Sequence, residues 1–374
     1  MGGGGSALRV CSDHRGGINW LSLSPDGQRL LTGTGGPATG QCCALLQGIC
    51  ELCLYPCFHT PVVKQPPLAV GSFGSREYRR KQELVLPPKG DSQALSPAGH
   101  ESYVTFCQLE DGAAFTCSAD CTIRRWDLHT GQCVQVYQGH TSIVNRILVA
   151  NNQLFSSSYD RTARVWSVDK GQVSREFRGH RNCVLTLAYS APWDAPLLDE
   201  LGRTAFTGST DATIRAWDIL SGEQLRVFRE HQGSIICLEL VEQLLYSGSA
   251  DRTVKCWLAD AGQCVRTFPA HRRSVSALKF HAGTLFTGSG DACARAFDAQ
   301  SGALQRVFRG HALVINCLQV HGHVLYTASH DGALRLWDLR GLQAPCPRPT
   351  GKRSLSRLFS NRVACVTAVP LQPT

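Results

Sequence analysis

Gly139-His140, Ile143-Val144-Asn145-Arg146-Ile147-Leu148-Val149, Asn151-Asn152, Leu154-Phe155-Ser156-Ser157-Ser158, Asp160-Arg161-Thr162 and Ala163-Arg164-Val165-Trp166 form one unit of a repeating chain. Each unit holds four short β-rich runs divided by Asn, Asp and Gly turn signals. They fit one four-stranded antiparallel sheet and leave no room for a helix. Gly99-His100, Gly179-His180, Glu230-His231, Ala270-His271 and Gly310-His311 open five more units, so the histidines recur at intervals of 40, 40, 51, 40 and 40 residues. An aromatic follows five of them by 26 residues: Trp126, Trp166, Trp257, Phe297 and Trp337. The sixth, Trp217, is delayed by the same 11 residues that lengthen the His180 unit. A period of this length marks an architecture in which each unit buries its apolar faces only against its neighbours.

Three units close on Trp-Asp, at Trp126-Asp127, Trp217-Asp218 and Trp337-Asp338. With the His opening and the Asp-x-Thr turn, the units resemble those of the WD-repeat family, strongly from His100 to Asp338 and weakly from Ala7 to Gly48. The resemblance implies an all-β propeller with six clear blades and one degenerate N-terminal blade, seven in total. It also implies a structural tetrad in each unit: the opening His, a Ser or Thr of the second strand (b), the Asp of the b–c turn and the Trp of the third strand (c). The sets would be His100, Thr116, Asp120 and Trp126; His140, Ser156, Asp160 and Trp166; His180, Thr207, Asp211 and Trp217. They continue as His231, Ser247, Asp251 and Trp257; His271, Thr287, Asp291 and Phe297; His311, Thr327, Asp331 and Trp337. A buried imidazole needs partners for both nitrogens, which a carboxylate and a hydroxyl can supply while the indole N–H donates into the same network. Phe297 has no N–H, so its set should be one bond short.

The N-terminus reads as a damaged unit. After His14, Ile18-Asn19-Trp20-Leu21-Ser22-Leu23-Ser24, a Pro25-Asp26-Gly27 turn and Arg29-Leu30-Leu31-Thr32-Gly33 supply strands a and b. The stretch that should carry the next turn and strand c is missing before Thr39-Gly40-Gln41-Cys42, which parallels Thr130-Gly131-Gln132-Cys133. Leu8-Arg9-Val10 before Asp13-His14 matches Leu225-Arg226-Val227 before Glu230-His231, an outer strand d leading into a new unit. The last unit has no strand d of its own, so the N-terminal strand is expected to complete it and close the ring. The chain divides into a flexible N-terminus (1–6), the closing strand and degenerate blade (7–48), a Pro-rich disordered insertion (49–99), six blades (100–338) and a basic flexible tail (339–374). The insertion and the extra residues around Ala191-Pro192-Trp193-Asp194-Ala195-Pro196 suggest an alternative form, by splicing, of a more regular parent.

No run approaches the length of a membrane-spanning helix. Eighteen cysteines without an apolar leader point to reduced thiols and a cytoplasmic or nuclear address. Cys237, Cys256 and Cys317 fall inside strand patterns and read as small core hydrophobes. The net charge of +9 gathers in the tail, where Arg340, Arg348, Lys352, Arg353, Arg357 and Arg362 meet no acid, so the ring reads as nearly neutral and no nucleic-acid partner is expected. Cys50, Cys53, Cys57 and His59 are ligand types at the wrong spacing for zinc, so no metal and no cofactor are expected. No nucleophile or phosphate loop stands out, and the repeated His and Asp are absorbed by the tetrads, so no enzyme is expected. The start matches a myristoylation pattern at Gly2. Trp337-Asp338-Leu339-Arg340 resembles the box by which some propellers dock on cullin-ligase adaptors through Arg340, which would make the chain a substrate receptor.

The expected function is a scaffold, a monomeric propeller that binds partner proteins or peptides on the face carrying the b–c turns and d–a loops. By resemblance, Asn19, Tyr103, Asn145, Tyr159, Leu185, Ile236, Asn316 and His330 line the channel mouth there, with Tyr103 and Tyr159 as the anchors.

Overall fold

The computed structural model describes residues 4–5, 7–12, 14, 16–34, 43–47, 99–110, 112–189 and 204–342. These residues form seven sheets, antiparallel apart from one short parallel pairing, and no helix. The innermost strands are Ile18–Leu23, Val104–Glu110, Val144–Ala150, Val184–Tyr189, Ile235–Val241, Val275–His281 and Ile315–His321. Each packs against the next, and the last packs against the first, so the sheets close into a ring. We number the blades 1 to 7 by these strands and letter the strands a to d from the channel outward.

Strand b explains why the ring holds together. In blades 2, 4, 6 and 7 every residue of strand b is buried, as in Thr284–Ser289, because both of its faces meet neighbouring blades. The core therefore lies between blades. Tyr246, Val254, Cys256 and Phe268 of blade 5 pack on Val275, Leu278, Leu285 and Phe297 of blade 6, and equivalent clusters recur around the ring. Each fully buried Leu, Ile or Phe contributes about 1.5–3 kcal/mol. Strands a and b slip by one residue at the start of strand a in all seven blades, for example between Val144 and Arg146. That bulge turns the loop containing each His toward the b–c turn.

Ala7–Cys11 pairs antiparallel with Leu334–Asp338, with Val10 opposite Arg335 and Cys11 opposite Leu334, so the N-terminal strand is strand d of blade 7 and closes the ring. Ahead of it, Gly4–Gly5 pairs in parallel with Leu304–Arg309, the outer strand of blade 6, a bridge to a second blade that the sequence did not announce.

Blade 1 has three strands, Ile18–Leu23, Arg29–Thr34 and Cys43–Gln47. The third pairs with strand b from Arg29↔Gln47 to Gly33↔Cys43. In the repeat frame Cys43–Gln47 follows Thr39–Cys42 and corresponds to a strand d. The outer strand has moved one place inward to cover the edge that the missing strand c would have covered. The insertion, apart from Gly99, the extra residues of blade 4 and the tail beyond Leu342 lie outside the described residues. At the start of the tail, Leu339 is still buried and its N–H donates to His323 O at 2.8 Å.

Candidate partner-binding face

Every complete blade places its four tetrad side chains in one chain of hydrogen bonds. In blade 3, Trp166 Nε1 donates to Ser156 Oγ at 2.8 Å, Ser156 Oγ lies 2.7 Å from His140 Nε2, and His140 Nδ1 lies 2.7 Å from Asp160 Oδ2. An indole can only donate and a carboxylate can only accept. The direction is thereby set: the hydroxyl proton goes to Nε2 and the Nδ1 proton to the carboxylate. Blades 2, 4, 5 and 7 repeat the arrangement through Thr116, Thr207, Ser247 and Thr327. Blade 1 keeps His14 Nε2 to Thr32 Oγ1 at 2.8 Å.

Two hydroxyls absent from the tetrad assignment complete the turn. Ser118, Ser158, Ser209, Ser249, Ser289 and Ser329 each donate to a carbonyl of the d–a loop, and each Oγ accepts the N–H of the turn Asp. The signal was in the sequence, as a Ser two residues before each Asp. In blades 2 to 5, Thr122, Thr162, Thr213 and Thr253 donate to the other carboxylate oxygen at 2.6 Å. Burial pushes these carboxyls up, but the bonds from His and Thr outweigh it and hold Asp120, Asp160, Asp211 and Asp251 below the usual carboxylate range, Asp251 at about 2. Burial pushes His231, His271 and His311 below their ordinary 6.5, consistent with neutral rings.

Blade 6 departs from the set. Phe297 gives Thr287 no indole donor, and Cys293 stands where the turn Thr would be. Arg295 of strand c takes over, with Nη1 2.9 Å from Asp291 Oδ2 and also against His271 Nδ1. The set is short of one bond at the hydroxyl, as expected from Phe297, and has a charged one at the carboxylate instead. Nothing in the repeat pattern pointed to this, because every blade from 2 to 7 carries Arg or Lys at that position. In blade 3 the equivalent Arg164 turns outward to Glu176 at 3.1 Å.

The tetrads fix the loops above them, and the rim residues fall into two groups. Asn145 Nδ2 donates to Leu185 O of blade 4 at 2.6 Å, and Asn316 Nδ2 to Ile18 O of blade 1 at 2.9 Å. These amides tie blades together. Leu185, Ile236 and Asn19, at the same place in their blades, are half-buried. Tyr103 and Tyr159 remain 39% and 40% exposed. Tyr103 stands on the d–a loop of blade 2 and Tyr159 on the b–c turn of the adjacent blade 3, and burial, then Cys183 of blade 4 and Tyr103, push the Tyr159 phenol above its ordinary range. His330 is exposed at the seam of blades 7 and 1 and lies on Gly17, where an added Cβ would come within 2.3 Å of its Nδ1.

The neutral sum expected for the ring hides a segregation. On the opposite face Asp127, Asp218, Asp298 and Asp338 end c strands and Asp169 and Asp260 follow theirs by two residues, with Arg125 and Arg340 paired to Asp169 and Asp338. Arg161, Arg181, Arg252, Arg272 and Arg273 stand exposed on the face with the b–c turns. Burial sends the thiols of Cys117, Cys237 and Cys256 up to about 12, so they behave as core hydrophobes. Arg340 Nη2 lies 2.7 Å from Asp338 Oδ2, folding the adaptor-box cation back on its own Asp. Gly2 and the cluster from Cys50 to His59 lie outside the described residues.

Known proteins give the same pattern. The family profile described as "WD domain, G-beta repeat" matches residues 5–36, 92–127, 131–167, 171–218, 222–257, 262–298 and 302–338. The five matches from 131–167 onward run from a strand d through the strand c of the next blade, and the first runs from the closing strand through strand b of blade 1. The chain is 64% identical over 252 residues to WD repeat-containing protein 86 of Homo sapiens, covering 64% of this chain and 54% of that protein. It thus spans about half the length of that relative. A shorter stretch of 49 residues is 41% identical to WD repeat-containing protein pop1 of Schizosaccharomyces pombe, covering 13% of this chain and 6% of that protein.

Proposed function

The chain belongs to the WD-repeat family, and from that premise we propose that it works as a non-enzymatic scaffold that binds partner proteins or peptides on the b–c face. One observation carries the reading: Tyr103 and Tyr159, two large aromatics 39% and 40% exposed, sit together on loops held by buried tetrads. A rigid frame displaying aromatics gives contact area at little ordering cost, and such residues dominate binding energy when a partner covers them. The tetrad His and Asp are bonded to one another, which leaves them no role as acid or base. The free cysteines fit a reducing compartment, and we place the protein's action in the cytoplasm or nucleus.

The test is affinity capture with crosslinking, comparing the full chain with Tyr103→Ala and Tyr159→Ala. Each variant should lose about 2 kcal/mol or more of binding to the main partner, roughly thirtyfold in affinity, with an unchanged melting temperature. If removal of residues 49–99 or of the basic tail abolishes capture while both tyrosine variants bind normally, the face is not the working surface.

A further inference from the structure

We propose that the b–c face from blade 3 to blade 6 binds an acidic, carboxylate-rich peptide segment of a partner protein, with Arg161, Arg181, Arg252, Arg272 and Arg273 as the cations that receive it. The inference rests on the scaffold reading above and specifies the chemistry of its partner.

The five arginines share a structural origin. Arg161 and Arg252 follow the tetrad Asp at the tip of the b–c turn, with φ of 70° and 75°. Arg181 and Arg272 follow the tetrad His, and their backbone N–H groups donate to Asp211 and Asp291 at 3.0 and 3.2 Å. Arg273 presents its carbonyl to Ser289 at 3.3 Å. The backbones are therefore pinned by the buried network, while the side chains project into solvent. None of the five guanidiniums has an ion pair or hydrogen bond among the described residues.

Their surroundings supply little opposing charge. On the loops of this face in blades 3 to 6, the turn aspartates are held by their histidines. The other described acid, Glu230, lies 3.3 Å from Lys255 Nζ. Like charges crowd instead: after burial, Arg229 and Arg181 are among the groups that pull the Arg215 guanidinium below its ordinary value. Unpaired cations concentrated on one face raise the potential there and attract an anionic partner.

The shape of the patch favours a peptide over a nucleic acid. The arginines follow the rim of a ring and do not form a straight track along which a phosphate backbone could run. The arc also begins at Tyr159, beside the half-exposed Tyr103 and Cys183, which suits a chain carrying apolar side chains between its carboxylates. Arg fits this role because its planar fork can hold a carboxylate in two parallel bonds.

The experiment measures fluorescence polarisation of labelled peptides of about ten residues on the full chain. One peptide alternates Glu with Leu and Tyr, and its control has Gln at every Glu. The Glu peptide should bind at least about tenfold more tightly than the control, and binding should weaken as added salt shortens the screening length. Arg181→Glu combined with Arg272→Glu should cost about tenfold or more, whereas Lys170→Glu on the opposite face should change nothing. A Lys-for-Glu peptide should gain affinity for the reversed variant, which a misfolded face could not provide. Equal binding of the Glu and Gln peptides overturns the proposal. So does an oligothymidine probe that binds through the same arginines and is not displaced by the Glu peptide, or salt-sensitive self-association joining this face to the acidic face of a second copy. If a captured partner depends on Tyr103 and Tyr159 but not on these arginines, the scaffold reading stands and the acidic-partner proposal fails. If capture depends on neither, both fail.

Discussion

Blades 3 and 6 fold the same four strands from different hydrogen-bond sets. Their registers agree down to the slip between strands c and d, at Val165/Trp166 in one and Ala296/Phe297 in the other. In blade 3 the network runs from Trp166 through Ser156 and His140 to Asp160, and Thr162 adds a bond at 2.6 Å. In blade 6 the indole and the turn hydroxyl are both missing, and Arg295 binds the carboxylate from above. Both blades keep the bond from His to the hydroxyl, His271 Nε2 to Thr287 Oγ1 at 2.7 Å, and the contact from His to the carboxylate, His271 Nδ1 to Asp291 at 3.1 Å. Blade 1 retains the first of these between His14 and Thr32. What differs is how each network responds when a member is removed.

The largest expected effect is at the carboxylates, and it reverses the order that a set one bond short would suggest. Asp291→Ala leaves Arg295, whose side chain is 13% exposed, as an uncompensated cation, and breaking such a buried pair costs about 3–5 kcal/mol. Asp160→Ala strands neutral donors from His140, Thr162 and the backbone, for about 1–3 kcal/mol. Denaturant midpoints of the two variants check this, and Arg295→Met should recover part of the loss in the Asp291→Ala background. A smaller loss for Asp291→Ala would mean that Arg295 finds solvent and contributes little.

The next contrast is at the hydroxyls. Ser156→Ala leaves both His140 Nε2 and Trp166 Nε1 without a partner, while Thr287→Val leaves only His271 Nε2. At about 1–3 kcal/mol per unpaired buried group, the blade 3 variant should lose roughly twice as much. Equal midpoints would show that the indole bond adds nothing in blade 3.

Acid should destabilise the ring in two steps. His231, His271 and His311 lie below their ordinary 6.5, so between that value and the folded one the unfolded chain binds protons that the folded chain does not. Stability then falls as pH drops below about 6.5. Asp160 and Asp291 lie below their ordinary 3.8, which adds a second loss as pH falls through that value and below. Urea midpoints should be level between about pH 7 and 8 and decline by about pH 5. Equal stability at pH 7.5 and 5 would require charged imidazoles in the folded ring.

What could be read from the residues was whatever recurs. The period fixed the blades because His, Asp and Trp return at set intervals, and Leu8-Arg9-Val10 gave away the closing strand by its likeness to Leu225-Arg226-Val227. The Ser before each turn Asp recurs as faithfully and carried a role that went unread. Features set by the packing of a single blade were invisible. Arg295 turns inward only because its neighbours at 293 and 297 lack the groups that fill the site elsewhere, which is a property of packing in three dimensions. The inward shift of Cys43–Gln47 follows from an uncovered strand b, and an uncovered edge is not a sequence pattern. The segregation of charge was hidden for a different reason: a sum over the ring adds Arg252 to Asp260 although they lie on opposite faces. Asn145 and Asn316 looked like contact residues, and only coordinates show that their amides already bridge blades.

The smallest expected effect comes from making blade 6 more like blade 3. Phe297→Trp offers Thr287 Oγ1 the missing indole donor, a gain of about 0.5–1.5 kcal/mol for one hydrogen bond. Against it stands the space: Phe297 is 4% exposed, its ring lies 5.8 Å from that of Phe268, and Ala270 packs in the same cluster. Enlarging a filled site costs about 1–3 kcal/mol, so the single variant should fall within about 1 kcal/mol of the parent, on the unstable side. In blades 3, 4 and 7 the residue before the His is glycine, and a Cβ there would lie 3.2 to 3.3 Å from the indole Cη2. Ala270→Gly alone should weaken the core slightly, yet combined with Phe297→Trp it should bring stability to or above that of the parent. The midpoint of the double variant is the measurement. If it falls below the sum of the two single losses, the indole cannot reach Thr287, and Arg295 rather than a missing tryptophan defines blade 6.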